Sequence, residues 1–449
     1  MTNSQLHCRK LALSSSPCEV FAQLHHLQGA VFLDSASAAH VNSRFDILVI
    51  EPEATLSVEH NKVYLDGLEL HQEVFAYMQQ RLAGLCTQSP AHDLPFSGGW
   101  LGYFGYDLGR TLERLPSLAT DDIALAQMQL GLYLDALIYD KAASQWYYIA
   151  QPTVDVEARL QRYLQPPAAA NAGKFALTSD WASNMSQAQY ADKFAKIQDY
   201  LRSGDCYQIN LAQRFSATYQ GCEWQAYRRL RSPNSAPFSA FMRLPQGCIL
   251  SISPERFIEV HHNQVESKPI KGTLPRSSDP KKDEALAAQL ASSPKDRAEN
   301  VMIVDLLRND LGKVAKPGSV HVPSLFAIES FPAVHHLVST VQSQLAEGKT
   351  ALDQLKAAFP GGSITGAPKI RAMEIIEELE PHRRSAYCGS IGYISACGDM
   401  DTSITIRTLV AKDNTLHCWA GGGIVADSDV ASEYQETYDK VNKILPVLT

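Results

Sequence analysis

The sequence predicts an α+β protein. Segments with helical periodicity and segments with strand alternation are both frequent, but they do not alternate one for one, which argues against a doubly wound parallel sheet. The chain has 449 residues, of which 45% are hydrophobic and 20% are charged. A chain of this length and composition can bury roughly three quarters of its unfolded surface, so global disorder is excluded.

The first third of the chain is predicted to be rich in strands. The runs AVFLDSAS and FDILVIEP, which begin at Ala30 and Phe45, lie between clusters of turn-forming residues. A run of glycines and aromatics, PFSGGWLGYFGYDLGR, follows at residues 95–110. Its glycines lack the G-x-G-x-x-G spacing of a dinucleotide loop, so we expect them to permit close backbone packing instead.

A stretch rich in Pro, Ala, Asn and Gly, residues 165–184, predicts a linker or a long surface loop. It separates an N-terminal region, residues 1–165, from a C-terminal region, residues 185–449. Directly after the linker, Ser186 is placed to cap a helix that Gly204 ends. Apolar residues recur along this helix at spacings of four, three and four: Tyr190, Phe194, Ile197 and Leu201.

The remaining elements follow from the same patterns. A strand is predicted in CYQINLAQRF, residues 206–215, with Gln208 and Asn210 on one face. Further helices are predicted at residues 296–308, 368–380 and 429–444. Further strands are predicted at residues 248–253, 390–395, 404–410 and 416–420.

Charge and cysteine content indicate the compartment and the kind of partner. Lys and Arg total 40 against 48 Asp and Glu, which gives a net charge of −8 and disfavours nucleic acid as the main partner. The nine cysteines are dispersed without a C-x-x-C pair, as in a reduced, cytoplasmic protein. The N-terminus lacks signal-peptide features, and no window approaches about 18 consecutive uncharged apolar residues. We therefore expect a cytoplasmic protein with neither a membrane span nor a nucleic-acid partner.

Acidic residues on two predicted helices are candidates for binding a cation. Glu433, Glu436 and Lys440 lie along one helical face, because they are three and four residues apart. Glu299 lies early in the helix predicted at 296–308. Carboxylates from separate helices, without His or Cys partners, suit a hard cation such as Mg²⁺. An exposed helix face with an i,i+4 Glu–Lys pair is the simpler alternative, and the spacing alone does not decide between them.

Two glycine-rich loops and a cation suggest an anionic substrate. PGGSITGAPK, residues 360–369, leads into a helix whose first backbone N–H groups can hold an anion. AGGGIV, residues 420–425, follows a strand and can present several N–H groups to a carboxylate. Arg407 lies among apolar residues and needs an anionic partner, either a structural carboxylate or a ligand.

Lys271, in SKPIKGTLPR, allows two interpretations. Its amine could extend past its apolar neighbours to solvent. A desolvated amine would instead become nucleophilic, which requires lowering its pKa from about 10.4 to near 7 at a cost of roughly 4–5 kcal/mol. Glu255, in SPERF, offers another means of activation, because its carboxylate could remove the proton during attack.

A series of motifs occurs in order along the chain. They are ISPERF, KPIKGTLPR, AENVMIVDLLRNDLG, HHLVSTV, FPGGSITGAPKIRAMEIIEELEP, YCGSIGY, DTSITIRT, AGGGIVADSD and EYQETYDK. Together they resemble the chorismate-utilising enzymes, a family that includes anthranilate synthase component I and the isochorismate and salicylate synthases. The runs FSGGWLGYFGYDLGR and SRFDI resemble this family's N-terminal region. The resemblance implies a large two-layered antiparallel β-sheet core with helices packed on the outside.

Two positions indicate which reaction of the family to expect. Members that add water to chorismate typically have a lysine base where this chain has Gln208, and a Gln cannot take a proton from water. Ammonia needs no such deprotonation, so ammonia is the expected nucleophile. Anthranilate synthases typically have the motif PIAGT where this chain has PIKGT. The lysine of that motif, Lys271 here, marks members that aminate ring position 4 and keep the enolpyruvyl group. Anthranilate synthase component I is the alternative, which Lys271 opposes.

The resemblance also implies roles for individual residues. Lys271 would attack ring position 2 and form a covalent adduct, Glu255 would act as acid and base, and His336 would lie near the ring. Mg²⁺ would be held by Glu299 and Glu436, with Glu433 close by. Chorismate would be bound by Gly272, Thr273, Tyr387, Arg407, Gly421, Gly422, Gly423 and Gln208.

The resemblance implies partners as well. Ammonia would come from a glutamine amidotransferase subunit (component II), because none of the nine cysteines lies in a G-x-C-x-G elbow with a downstream His-x-Glu. Residues 33–47 and 232–241 resemble the family's tryptophan pocket, in which we expect a retained, structural tryptophan. The matching residues are Ser35, Asn42, Ser43, Arg44, Phe45, Pro237, Phe238 and Ser239.

Overall fold

The computed structural model describes residues 5–36, 42–168, 173–330 and 334–449. The α-helices are α1 (Pro17–Leu24), α2 (Val74–Ala83), α3 (Gly109–Leu112), α4 (Val156–Leu164), α5 (Gln187–Ser203), α6 (Glu223–Asn234), α7 (Pro280–Ser292), α8 (Pro294–Gly312), α9 (Ala351–Ala358), α10 (Lys369–Leu379), α11 (Val430–Asp439) and α12 (Leu445–Leu448). Residues 169–172 of the predicted linker and residues 37–41 of the predicted tryptophan pocket lie outside the described residues.

The strands are short and numerous. They are β1 (His7–Leu11), β2 (Val31–Asp34), β3 (Phe45–Val49), β4 (Ala54–Glu59), β5 (Lys62–Leu65), β6 (Leu68–Leu70), β7 (Gly99–Phe104), β8 (Met128–Tyr133), β9 (Asp135–Asp140), β10 (Gln145–Ala150), β11 (Ala176–Leu177), β12 (Ala182–Ser183), β13 (Gln208–Gln220), β14 (Phe238–Leu244), β15 (Gly247–Ser253), β16 (Arg256–His261), β17 (Gln264–Ser267), β18 (Ile270–Pro275), β19 (His321–Ser330), β20 (Val334–Gln344), β21 (Gly366–Ala367), β22 (Ser390–Ser395), β23 (Met400–Ile404), β24 (Thr408–Lys412) and β25 (Thr415–Ile424).

Two large sheets contain these strands. The first sheet has the order β1-β10-β9-β3-β2-β14-β15-β24-β25-β13-β11, with β12 and β21 also paired to β13. The second sheet has the order β18-β20-β17-β16-β23-β22-β7-β8-β4-β5-β6, with β19 paired to β20. The ladders between the described strands are antiparallel. The predicted α+β class, with a large antiparallel core, is therefore confirmed.

The main hydrophobic core lies between the two sheets. Val49 and Ile249 of the first sheet belong to the same buried cluster as Leu56 and Trp100 of the second. A separate cluster joins the first sheet to α1 and α6, and another joins α5 and α10 to β13 and β25. The helices thus cover the outer surfaces of a two-layered sheet core.

Strands from both sides of the predicted linker share each sheet. In the first sheet β2 pairs with β14, and in the second sheet β7 pairs with β22. The ladder of β7 depends on glycine, because a Cβ atom on Gly102 would come within 2.2 Å of the carbonyl oxygen of Gln129. Close packing at the glycines of residues 95–110 is therefore confirmed, whereas the regions 1–165 and 185–449 stay a prediction about domains.

The helix after the linker begins and ends where the sequence predicts. Ser186 and Gln189 exchange side-chain and backbone hydrogen bonds at the start of α5, which is a capping box. Gly204 ends the helix with φ at 80°, a left-handed conformation that suits glycine. The helices predicted at 296–308 and 368–380 are present as α8 and α10. Over the described ranges, no helix combines the length and the apolar character that crossing a membrane requires.

The prediction of one strand over residues 404–410 is wrong. β23 ends at Ile404 in the second sheet, and β24 begins at Thr408 in the first. Residues 405–407 carry the chain between the sheets, and Arg407 has φ at 50°. Both flanking strands are largely buried, so the residue pattern shows no break where the chain changes sheets.

Two other predicted boundaries are corrected near the C-terminus. The helix predicted at 429–444 ends at Asp439, where the chain tightens into shorter turns before Pro446. The strand predicted at 416–420 continues to Ile424, because β13 supplies hydrogen-bonding partners for the glycines that follow. AGGGIV is therefore mostly strand, not a loop after one.

Candidate active site

The floor of the candidate site is a stretch of strand that requires glycine. Gly421, Gly422 and Gly423 lie on β25 and pair with β13. A Cβ atom on Gly421 would lie 2.6 Å from the carbonyl oxygen of Leu211, and one on Gly423 would lie 2.0 Å from Nε2 of Gln208. Neither distance leaves room for a side chain, so β25 presents bare backbone here.

Two carboxylates of α11 lie against this glycine surface. A Cβ atom on Gly422 would lie 3.0 Å from Oε2 of Glu433 and 3.3 Å from Oε1 of Glu436. Oε1 of Glu433 accepts a hydrogen bond of 2.7 Å from Ser428, whereas its buried Oε2 has no partner in the described part of the chain. Burial raises the pKa of Glu433. Glu436 forms the predicted i,i+4 pair with Lys440, at 2.7 Å.

Glu299 brings a third carboxylate from α8. Burial raises the pKa of Glu299, the cations Lys271 and Lys295 oppose that shift, and Glu433 reinforces it. Nζ of Lys295 also lies 3.9 Å from Oε1 of Glu433. The carboxylates of Glu299 and Glu433 therefore lie close enough to interact electrostatically. Three such groups, one with an unpartnered buried oxygen, form a donor set that fits a hard dication such as Mg²⁺.

A bulge in β18 directs Lys271 toward these carboxylates. The ladder between β18 and β20 shifts register between Ile270 and Thr273, which accommodates one extra residue at this point. Gly272 has φ at 80°, and a Cβ atom there would lie 2.8 Å from the carboxyl carbon of Asp296. Glycine is therefore needed beside Lys271 both for the backbone conformation and for the contact with α8.

The amine of Lys271 lies among acidic groups, on a residue that is half-buried. Nζ donates a hydrogen bond of 3.2 Å to the carbonyl oxygen of Ser363. Burial lowers the pKa of Lys271, and the carboxylates of Glu299, Glu255 and Glu436 oppose that shift. The pKa of Lys271 is thus shifted in the direction that the nucleophile interpretation requires, and the interpretation itself stays a prediction.

Glu255 combines burial with a nearby cation. The residue is 7% exposed and directly precedes β16. Burial raises the pKa of Glu255 to about 7, although Lys271, the backbone N–H of Ile270 and Arg407 all favour the charged form. A carboxyl group with this pKa exists in both protonation states at neutral pH, which suits an acid and base.

His336 and Thr273 form a pair at the end of β18. They are direct partners in the ladder between β18 and β20, and Oγ1 of Thr273 lies 2.8 Å from Nδ1 of His336. The pair is two residues along the strand from Lys271. Both predicted residues are therefore near the bulge, and the hydrogen bond orients the imidazole.

The polar residues opposite the carboxylates come from three elements. Arg407, in the link between the sheets, has a pKa that desolvation lowers and that Glu255 raises. Tyr387 is buried and its ring stacks on Trp419 with centroids 6.0 Å apart. Gln208 is also buried, and its Oε1 has no partner within the described residues. Among them, Gln208 lies against Gly423, and Arg407 is close enough to Glu255 to interact with its charge.

Four contributions to this site were not predicted as functional from the sequence. The carbonyl of Ser363 accepts from Lys271, Ser428 orients Glu433, and Lys440 donates to the carbonyl oxygen of Gly421 at 2.6 Å as well as pairing with Glu436. Lys295 balances the carboxylates. For Lys440, its spacing of four residues from Glu436 could have indicated a contribution to the site. For Ser363 no sequence signal existed, because its backbone carbonyl acts and the side-chain pattern does not report on that group.

The loop at residues 360–369 contributes in a different way from the prediction. Its helix, α10, begins at Lys369, whose Nζ lies 2.6 Å from Oδ2 of Asp310 and 2.7 Å from the carbonyl oxygen of Ala358. These bonds fix the loop against α8 and α9, and Ser363 within it faces Lys271. In the structure this loop positions the carbonyl group that accepts a hydrogen bond from Lys271. Anion binding at the start of α10 stays a prediction.

A separate cavity of about 520 Å³ lies where the first and second sheets meet. Among the residues predicted to form a tryptophan pocket, the lining includes Ser35, Asn42, Arg44, Phe45, Pro237, Phe238 and Ser239. Ser43 is buried but is not part of this lining. Two segments distant in sequence thus meet around one cavity, and its assignment as a tryptophan pocket stays a prediction.

Comparisons with known proteins identify the family. A family model described as "chorismate binding enzyme" matches residues 28–446. The chain is 55% identical to aminodeoxychorismate synthase component 1 of Escherichia coli (strain K12) over 433 residues, which cover 95% of each chain. It is 36% identical to anthranilate synthase component 1 of Thermus thermophilus, covering 97% of this chain and 96% of the relative.

A solved structure agrees with the fold. The crystal structure of anthranilate synthase component I from Streptococcus pneumoniae superposes with a TM-score of 0.80 at 32% identity, covering 90% of this chain and 93% of that one. The family match spans both sheets and all the carboxylates of the candidate site. The chain therefore belongs to the family of chorismate binding enzymes.

Proposed function

We propose that this chain is an aminodeoxychorismate synthase component 1, which converts chorismate and ammonia into 4-amino-4-deoxychorismate. The observation that carries the proposal is the position of the half-buried Lys271, whose amine lies among Glu255, Glu299 and Glu436. The relative of the same name in Escherichia coli, 55% identical, supports this reading over that of an anthranilate synthase.

Chorismate would be bound between the carboxylates and the donors. Mg²⁺ held by Glu299 and Glu436, with Glu433 close by, would neutralise the ring carboxylate when bound. Arg407 and the phenol of Tyr387 would bind the second carboxylate over the glycine surface. Gly272 and Thr273 would line the ring, and the unpaired amide oxygen of Gln208 is available to a donor such as the incoming ammonia.

The chemistry would proceed in two displacement steps. The neutral amine of Lys271 bonds to ring carbon 2, the double bonds shift, and the hydroxyl at carbon 4 leaves as water with a proton from Glu255. The Glu255 carboxylate then takes the extra proton from the Lys271 nitrogen. Ammonia attacks carbon 4, the bond from carbon 2 to Lys271 breaks, and Glu255 returns the proton to the amine. The new ammonium group at carbon 4 then gives one proton to the Glu255 carboxylate, which restores the starting state of the site. The net reaction releases one water.

The ammonia would come from a second protein. The name "component 1" carried by the relatives implies a partner component. We propose that this partner is a glutamine amidotransferase subunit and that ammonium salts replace it in vitro. Measuring turnover with glutamine, with and without the partner, and with ammonium chloride would separate the two sources.

Intact-protein mass spectrometry tests the nucleophile. After mixing with chorismate and Mg²⁺ in the absence of ammonia, the protein should gain the mass of chorismate less one water. Lys271→Ala should show no adduct, and Lys281→Ala, on the exposed face of α7, should react like the parent protein. An unmodified mass for the parent protein under conditions of active turnover would exclude the covalent route.

The reaction product distinguishes the two family activities. With chorismate, Mg²⁺ and ammonium, an anthranilate synthase forms fluorescent anthranilate directly. The proposed activity forms a non-aromatic product that gives para-aminobenzoate only after a lyase is added. Direct formation of anthranilate would overturn the proposed function.

We also propose that the cavity at the junction of the sheets holds a structural tryptophan. The support is its size and the arrival of Ser35 and Pro237 at one lining. Denaturing the purified protein and analysing the small molecules released should yield tryptophan in a near-equimolar amount. Its absence, together with no calorimetric binding of added tryptophan, would contradict this.

A further inference from the structure

A second group of metal-ligating side chains lies away from the candidate active site, at the turn between β16 and β17. The ladder pairs His261 with Gln264, so His262 and Asn263 form a two-residue hairpin turn. Both turn residues are left-handed, with φ of 48° and 64°. This turn holds the rings of His261 and His262 with their centroids 4.0 Å apart.

Asp399 completes the group from a neighbouring hairpin. β16 pairs with β23, and the last ladder pair is Val260 with Met400, which places Asp399 opposite His261. Oδ2 of Asp399 lies 3.0 Å from Nδ1 of His261, and Oδ1 accepts a hydrogen bond of 3.0 Å from the backbone N–H of His262. Asp399 is only 8% exposed, so its carboxylate is held in place.

The spacing of these atoms matches a coordination sphere. One nitrogen from each imidazole and one oxygen of Asp399 all lie within 4.8 Å of one another. Two ligands bound tetrahedrally at about 2.0–2.1 Å from one Zn²⁺ are roughly 3.3 Å apart, close to the separation of His261 and Asp399. The two ladders fix the relative position of the backbone segments that carry these side chains.

We propose that His261, His262 and Asp399 bind a transition-metal dication of the Zn²⁺ type. Two imidazoles and one carboxylate suit Zn²⁺, Co²⁺ or Ni²⁺, whereas Mg²⁺ and Ca²⁺ prefer oxygen ligands throughout. The side chain of His261 is 58% exposed, so ions and water reach the site from solvent. Water completes the coordination sphere.

Metal binding here joins two hairpins at the edge of the cavity between the sheets. His261 and Asp399 both line that cavity, together with Glu259 and Asp401 on the same strands. A bound dication tethers the turn of β16 and β17 to the turn before β23. The site therefore stabilises one wall of the cavity, independently of the carboxylates on α8 and α11.

Calorimetric titration of the tag-free chain with Zn²⁺ tests this site. An excess of Mg²⁺ should be present throughout, so that the carboxylates of α8 and α11 do not contribute. His262→Asn is the sharpest variant, because Asn tolerates the left-handed turn conformation but removes one imidazole. His71→Ala is the matched control, since His71 is a strongly exposed histidine elsewhere on the surface.

We expect one Zn²⁺ per chain in the parent protein and in His71→Ala. In His262→Asn the affinity should fall at least about tenfold, because even groups that only orient a metal ligand contribute 10- to 100-fold. Asp399→Asn should give a loss of similar size. Equal Zn²⁺ affinity in His262→Asn, or no Zn²⁺ binding by the parent protein, would overturn the proposal.

Discussion

At the scale of the residue, the candidate site depends on groups that burial holds away from their ordinary protonation states. Glu255 is the clearest case, since burial raises its pKa to about 7 even though Lys271 and Arg407 favour its charge. In the unfolded chain a glutamate ionises near pH 4.3, well below the pKa of Glu255 in the folded protein. Ionising Glu255 in the folded protein therefore costs free energy.

Replacing Glu255 by Gln should make the protein more stable and less active. Between pH 4.5 and 7 the unfolded chain releases the Glu255 proton before the folded chain does, so the free energy of unfolding falls as pH rises through this window. Gln mimics the protonated form. We expect Glu255→Gln to gain about 3 kcal/mol at pH 8 and nothing at pH 4, measured by urea unfolding of the ligand-free protein.

Activity should show the opposite effect in the same variant. Turnover with ammonium should fall by about 100-fold or more, because acid–base groups typically contribute 10²–10⁴. The parent protein should lose activity as pH rises above 7, through loss of the proton that assists the departing hydroxyl. A variant that kept both the parent pH profile and the parent rate would assign the proton transfers to another group.

The position of the Lys271 amine could not be predicted from its neighbours in the sequence. Lys271 could be assigned either to solvent or to catalysis, because its neighbours in sequence permit both. The deciding features are a bulge beside Gly272 and a carbonyl acceptor at Ser363, nearly a hundred positions along the chain. Neither is a side-chain pattern, so only the family resemblance could anticipate the result.

At the scale of the element, β25 is the feature that the sequence predicted least well. Glycine is depleted in strands, so three consecutive glycines indicated a loop. In the structure they continue the strand because they pair with β13, whose atoms approach Gly421 and Gly423 too closely for a side chain. The glycines still lie against carboxylates, those of Glu433 and Glu436, but they do so from within the sheet and not from an open loop.

A double-mutant cycle should reveal this close approach. In Gly423→Ala the new methyl group would collide with Nε2 of Gln208, 2.0 Å away, and should cost about 1–3 kcal/mol of stability. Gln208→Ala removes the obstructing amide. We therefore expect Gly423→Ala to cost much less when Gln208 is already Ala, as measured by urea unfolding of all four proteins.

The neighbouring glycine provides a matched comparison. A methyl group on Gly421 would meet the carbonyl oxygen of Leu211, 2.6 Å away, which no side-chain replacement removes. Gly421→Ala should therefore remain destabilising in the Gln208→Ala background. Strictly additive costs for Gly423→Ala and Gln208→Ala would show that the strand shifts instead of pressing on the amide.

At the scale of the whole molecule, the sequence predicted the class of fold and most elements of the C-terminal region. It could not predict how the two sheets are assembled, because strands before and after the linker pair across more than 200 residues, as Phe32 does with Phe241. Residues 405–407 illustrate the difficulty, since the chain changes sheets within one continuous apolar pattern. The site lies at that junction, so its geometry depends on pairings that local periodicity does not encode.

The proposed cation site depends on the assembly of both sheets, because its ligands come from distant parts of the chain. Glu299 on α8 and Glu436 on α11 come from helices separated by more than 100 residues, and they approach only when both sheets are complete. A dication bound by both helices is therefore bound by the folded state alone. Any ligand of this kind stabilises the folded protein in proportion to its occupancy.

Mg²⁺ should raise the thermal stability of this protein. At 100 times its dissociation constant, a ligand specific for the folded state contributes about 2.7 kcal/mol, which should appear as a rise of several degrees in Tm. Glu436→Gln should lose most of this rise, whereas Glu284→Gln, an exposed position on α7, should keep it. Removing the ion with EDTA should return the parent protein to its original Tm. An equal Mg²⁺ effect in Glu436→Gln would remove this carboxylate from the proposed ligands, because a general ionic effect does not depend on one side chain.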